Sequence, residues 1–181
     1  MKQKIIIVND LKRIIFQLNK NIFTILLLRI KNDPYDIRWI KNPSYGIQKL
    51  TVTQWGMGIQ WIQNPCYEIQ KLAVTQDGHA IRYIKNPSRT IQNLAVTKNG
   101  YNIRYIQNPS RTIQQLAVTQ RGQAIQYIQN PSYKIQKLAV TQDGRSIHYI
   151  QNPSFELQKI AITQNGNAIQ FIKNPSQEIK K

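Results

Sequence analysis

Apolar residues along this chain recur in two alternating spacings. Between residues 91 and 106 they fall at Ile91, Leu94, Ala95, Val96, Ile103 and Ile106. Ile91, Leu94 and Ala95 stand at i, i+3 and i+4 and predict one buried stripe on an α-helix. Val96 lies on the other side, close to Gln92, where it can touch a neighbouring unit. Ile103 and Ile106 share a face of a second helix of only about two turns, marginal on its own and open to a 3₁₀ form.

Polar breakers separate these stretches at a fixed period. Asn-Pro recurs at Asn42, Asn64, Asn86, Asn108, Asn130, Asn152 and Asn174, always 22 residues apart, and Gly56, Gly78, Gly100, Gly122, Gly144 and Gly166 keep the same step. The unit reads N-P-S-x-x-I-Q-x-L-A-V-T-Q-x-G-x-A-I-x-Y-I-x and divides into a longer helix A and a shorter helix B. A residue before proline is disfavoured in the helical region, so Asn86 closes the preceding helix B. Ser44, Ser88, Ser110, Ser132, Ser154 and Ser176 stand where an N-cap oxygen is wanted. Asn as the cap, with Pro at the first helical position, is the competing assignment. The glycine stands where a left-handed residue would stop helix A. One unit buries too little apolar surface to offset the ordering of its own backbone, so units must stack.

The period runs backward in degraded form. Ile37, Trp39 and Ile40 match the helix B positions, with Pro34 in place of the glycine. Ile25, Leu28 and Ile30 match helix A positions, and Ile6 and Val8 match once more. The apolar run from Ile22 to Ile30 reads as buried helix, too short and too interrupted by Thr24 and Arg29 to span a membrane. Residues 1–41 are therefore expected to form two degenerate, capping repeats, and residues 42–181 regular repeats ending in a truncated helix A at Ile179-Lys180-Lys181. The expectation is an all-α, right-handed α-solenoid of about eight 22-residue two-helix repeats, a single array over residues 1–181.

Charge changes the picture more than composition does. The 181 residues carry 25 Lys and Arg against 8 Asp and Glu, a net charge of +17 although only 18% of residues are charged. Such a balance favours phosphates, acidic proteins or anionic surfaces as partners. The single cysteine, Cys66, forms no internal disulfide and no thiolate zinc site, which points to an intracellular setting, cytoplasmic or nuclear. Ile5–Val8 is too short for a secretory signal.

No catalytic constellation emerges, so a non-enzymatic scaffold without cofactor or metal is expected. His79 and His148 occupy different repeat positions, the carboxylates form no spaced pair, and the glycines make no phosphate loop. Two recurring features point to recognition instead. Trp39, Trp61, Tyr83, Tyr105, Tyr127, Tyr149 and Phe171 share one helix B position, as packing between repeats or as a stacking platform for bases. Between Asp77 and Asp143 there is no acidic residue, while Arg82, Lys85, Arg89, Lys98, Arg104, Arg111, Arg121, Lys134 and Lys137 lie in that window. Arg82 and Arg104 hold one repeat position and Arg89 and Arg111 another, a two-by-two grid near the Asn-Pro corner. The binding residues expected are Arg82, Lys85, Arg89, Arg104, Arg111, Tyr83 and Tyr105, on nucleic acid through phosphate contacts or on an acidic protein. The alternative is a protein-interaction or structural subunit, self-associating through the apolar N-terminal repeats.

The run A-V-T-Q-D-G-x-x-I-x-Y-I-x-N-P-S, present from Ala73 and again from Ala139, resembles the short helical repeats ending in A-V-K-Q-N/D-G of large DNA viruses, phages and some microbes. It is more loosely similar to leucine-rich-variant and HEAT-type arrays, where a D/N-P corner also starts the main helix. The resemblance covers about residues 35–181. It implies an α-superhelix and a viral or host-cell setting, including association with a virion, and carries over no active residue.

Overall fold

The structure, a computed structural model, describes residues 2–179, with side-chain surroundings for residues 15–179. Among the described residues there are fourteen helices and no strand. The chain divides into two compact units, residues 1–76 and 77–181. The first holds α1 (Lys2–Asn32), η1 (Pro34–Trp39), α2 (Tyr45–Gln54), η2 (Gly56–Trp61) and α3 (Tyr67–Gln76), where η marks a 3₁₀-helix. The second holds η3 (Gly78–Tyr83), α4 (Arg89–Lys98), η4 (Gly100–Tyr105), α5 (Arg111–Gln120), η5 (Gly122–Tyr127), α6 (Tyr133–Gln142), η6 (Gly144–Tyr149), α7 (Phe155–Gln164) and η7 (Gly166–Phe171). Within each unit α packs on the next α and η on the next η, so both are α-solenoid-like stacks. Helix B is wholly 3₁₀.

Each α-helix of the repeat starts where the serine, or Cys66 before α3, stands, although Ser44 and Ser132 cap α2 and α6 without a side-chain hydrogen bond. Ser88, Ser110 and Ser154 are N-caps in extended conformation, and their hydroxyls accept from the backbone N–H of Ile91, Ile113 and Leu157 at 3.4 Å. The competing cap, asparagine, does something else. Asn42, Asn64, Asn86, Asn108, Asn130 and Asn152 all have φ between 47° and 53°. Apart from glycine, Asn and Asp are the residues that most readily visit this left-handed region, and the following proline forbids helix continuation. The recurrent Gln of the I-Q pair secures the corner. In Gln92 and Gln114 its amide donates to the Pro87 and Pro109 carbonyls at 2.9 Å.

The glycine reading is corrected: no glycine has positive φ. The residue before it, extended, ends the α-helix. Where that residue is Asp77, Asn99, Asp143 or Asn165, its side chain also caps the 3₁₀-helix by accepting from the N–H two residues on. The glycine is required by close approach instead. A Cβ on Gly122 or Gly144 would lie 2.5 Å from the carbonyl oxygen of Ala139 or Ala161 in the next α-helix. Gly166, which no further repeat α-helix follows among the described residues, would meet nothing within 4 Å.

The apolar stripe is also corrected. Ile91, Ala95 and Val96 are fully buried and Leu94 is half-buried. In the second unit each α-helix is covered by its own 3₁₀-helix and by neighbouring repeats, so two faces are buried and Val96 belongs to the core. One repeat varies this core in a compensated way. Thr51 replaces the recurrent alanine of helix A and Gly58 that of helix B, and a Cβ on Gly58 would lie 2.6 Å from the Thr51 methyl.

Residues 2–32 differ most from expectation. They form one helix of 31 residues, not two degenerate repeats. Its run from Ile22 to Ile30 is mostly exposed, with only Ile30 buried. The side chains of Ile6 and Val8, and residues Lys180 and Lys181, lie outside the described residues. Pro34, Ile37 and Trp39 do form the expected helix B, capped by Asp33.

Candidate nucleic-acid interface

The aromatic column stands at the last residue of each 3₁₀-helix, one step before an isoleucine that is buried except at Ile40, which is half-buried. That placement leaves the rings at the surface. Trp39, Trp61, Tyr127 and Tyr149 are exposed, and Tyr83, Tyr105 and Phe171 are half-buried. The rings take part in packing between repeats and still keep part of their surface exposed.

Where the residue before the aromatic is Arg38, Arg82, Arg104 or His148, it lies against the rings. In the second unit the Arg82 guanidinium sits 5.0 Å from the Tyr83 ring centre and 5.8 Å from that of Tyr105, and Arg104 sits 4.6 Å from Tyr105 and 6.0 Å from Tyr127. The result is an alternating ladder of cation and ring. Arg104 donates to the Tyr105 hydroxyl at 2.6 Å. Its slight burial works to lower its pKa, but hydrogen bonding to the Tyr127 and Tyr105 hydroxyls outweighs this and raises it. In the first unit Arg38 lies 4.9 Å from the Trp39 ring centre.

Beside each rung, at the Asn-Pro corner, opens a shallow cleft. One is lined by Arg82, Lys85, Asn86, Gln92 and Tyr105 and another by Arg104, Asn108, Gln114 and Tyr127, with volumes of about 580 and 710 Å³. His148, Tyr149, Phe171 and Lys173 line a third, and Arg38, Trp39, Lys41 and Trp61 a fourth in the first unit, each about 590 Å³. The near-equal size and repetition suit a linear polymer better than one small molecule, which would select a single enclosed pocket. No carboxylate lines any of the four. Five of the acids are engaged elsewhere: Asp33, Asp77 and Asp143 cap 3₁₀-helices, and Glu68 and Glu156 accept from Tyr45 and Tyr133.

The structure thus brings Arg82, Tyr83, Lys85, Arg104 and Tyr105 together. Arg89 and Arg111 open α4 and α5, are exposed, and line none of these clefts. Two further residues join the site: Tyr127, already one of the aromatic column, and His148, which does not stand out in the sequence. Tyr127 completes the second rung. His148 takes the arginine's place before Tyr149, edge-on to Tyr149 at 5.1 Å and to Phe171 at 5.9 Å. It stands two and three repeats after Arg104 and Arg82, so the period itself carries the signal. His79 is elsewhere, 3.1 Å from Asp77, and no cluster of metal-ligating residues occurs among the described residues. No helix among them is long and apolar enough to cross a membrane.

No family model matches this chain, and neither does any curated protein or solved structure. The likeness to viral repeat arrays accordingly rests on the repeat motif alone.

Proposed function

We propose that this protein is a non-catalytic scaffold that binds single-stranded nucleic acid along its clefts. The observation that carries the reading is the ladder of Arg82, Tyr83, Arg104, Tyr105 and Tyr127. Guanidinium groups held over rings offer charge for phosphates, and exposed rings of the column with no guanidinium over them, such as Trp61, offer faces on which bases stack without sequence preference. The clefts free of carboxylate and the net charge of +17 agree in sign. An intracellular or virion-associated role fits such a partner.

Titration of the purified chain with fluorescent single-stranded RNA and DNA at several salt concentrations tests the proposal. Phosphate neutralisation by Arg82, Lys85 and Arg104, at about 0.7 for each phosphate, gives a slope of log K against log salt of roughly −2 or steeper. Bases stacking on the column quench tyrosine fluorescence. A chain that ignores nucleic acid at about 0.15 M salt sinks the reading and leaves an acidic protein as the partner to pursue.

A further inference from the structure

In the second unit the place before the aromatic is held by Arg82, Arg104, Gln126, His148 and Gln170 in turn. Arginine is a cation at every pH a protein meets, and glutamine is never one. Histidine alone passes from one kind to the other, between about pH 5 and pH 8. His148 also has the arginine's geometry. Arg104 spans the rings of Tyr105 and Tyr127 at 4.6 and 6.0 Å, and the His148 ring spans those of Tyr149 and Phe171 at 5.1 and 5.9 Å. It is exposed, and it lines the cleft that also holds Tyr149, Phe171 and Lys173.

We propose that His148 is a proton-gated phosphate contact of the nucleic-acid interface. Neutral, it is equivalent to Gln126. Protonated, it is to Tyr149 and Phe171 what Arg104 is to Tyr105 and Tyr127, a cation held against two rings, and it adds a rung to those of Arg82 and Arg104. The inference rests on the nucleic-acid reading and gives that site its regulation. The surrounding charges suit an anion. The cleft holds Lys173, the Tyr149 hydroxyl and no carboxylate. Of the elements packed on η6, η5 brings Tyr127, and neither η5 nor η7 carries a charged residue. α6 brings Tyr133, Lys134 and Lys137, and α7 brings Glu156 and Lys159. Glu156 is taken by Tyr133 and Lys137, and Asp143, just before η6, by Arg145. No carboxylate of these elements is left to neutralise an imidazolium, whereas the phosphate of a strand in the cleft does so. By linkage, a strand held more tightly by the imidazolium draws a proton onto it in equal measure.

Titration of the full chain with fluorescent oligothymidylate, whose charge is constant over the range used, at about pH 5.5 and about pH 8 and several salt concentrations reads the gate. Binding should be tighter at the lower pH, with a slope of log K against log salt steeper by roughly 0.7, one phosphate neutralised. His148→Arg should bind at both pH values as the native chain does at the lower one, and His148→Gln as the native chain does at the higher. His79→Gln, at the histidine beside Asp77 and outside the clefts, should keep the native pH dependence. Binding that is equal at the two pH values overturns the proposal and leaves the nucleic-acid reading standing, as does a pH dependence that survives His148→Gln. A chain that binds no strand at either pH overturns both.

Discussion

Helix α1 and the repeat helices α4 to α7 use similar apolar residues and come to opposite ends. In α4 the buried positions are Ile91, Ala95 and Val96, with Leu94 at the margin. In α1, Ile15, Phe16, Leu18, Ile22, Phe23, Ile25 and Leu28 are all exposed. Hydrophobicity does not separate them; punctuation does. Each repeat is broken by a left-handed asparagine and by a glycine that lets the next helix approach, so every α-helix is covered on two sides. No glycine or proline interrupts residues 2–32. That helix runs on unbroken, and from residue 15 to residue 25 its side chains are exposed.

The contrast is sharpest for a core truncation. Ile91→Ala should cost about 2–5 kcal/mol, as a fully buried aliphatic removed to leave a cavity, and Leu94→Ala should cost less. Phe16→Ala, at a position 70% exposed, should stay within about 0.5 kcal/mol. Urea denaturation followed by circular dichroism compares the three, and a cost for Phe16→Ala equal to that of Ile91→Ala would erase the distinction between the two regions.

Close approach between repeats is tested next. Gly122→Ala and Gly144→Ala should each destabilise by about 1–3 kcal/mol, because the added methyl must displace a backbone carbonyl in the next helix. Gly166→Ala has the same backbone freedom and no neighbour within 4 Å, so thermal melting should find it neutral or slightly stabilised. Equal losses at all three positions would mean that the glycines serve the local turn and not the stacking.

Much of this architecture is readable from the period, and the misreadings have physical causes. The serine caps, the corner at Asn-Pro and the two helices per unit all follow from local chemistry. The glycine is misassigned because a local C-cap and a close approach both select glycine, and only the position of the next helix tells them apart. Val96 falls outside the stripe because a period identifies faces without saying how many of them are covered. Matching α1 residues to repeat positions overlooks the absent breakers. At the site, the aromatic column and Arg82, Lys85 and Arg104 are readable as repeated positions. Arg89 and Arg111 group with them only because both arginine pairs lie near the same corner in sequence. His148 escapes notice when histidine is weighed as a candidate ligand rather than as the occupant of the arginine's place.

A smaller effect belongs to Asp143. Burial works to raise its pKa, but hydrogen bonds from Arg145 and Gln123 prevail, and the carboxyl titrates below its ordinary value. A folded pKa below the unfolded one gives stability that is present above the unfolded pKa and is lost as pH falls through the folded one. The contribution is at most about 1 kcal/mol, since Arg145 is largely exposed. Melting temperatures between about pH 6 and pH 2 should therefore fall less steeply for Asp143→Asn than for the native chain. Parallel curves would show that the cap contributes without its charge.

The central claim is that the ladder in the clefts, and not basic charge at large, makes the binding surface. The most direct measurement compares Arg82→Gln/Arg104→Gln with Arg89→Gln/Arg111→Gln, two variants with the same charge change, for affinity to a single-stranded oligonucleotide across salt concentrations. The first pair should weaken binding and reduce the magnitude of the salt slope by roughly 0.7 for each phosphate no longer neutralised, while the second should leave the slope near that of the native chain. Equal losses from both pairs would contradict the account and reduce the interaction to net charge.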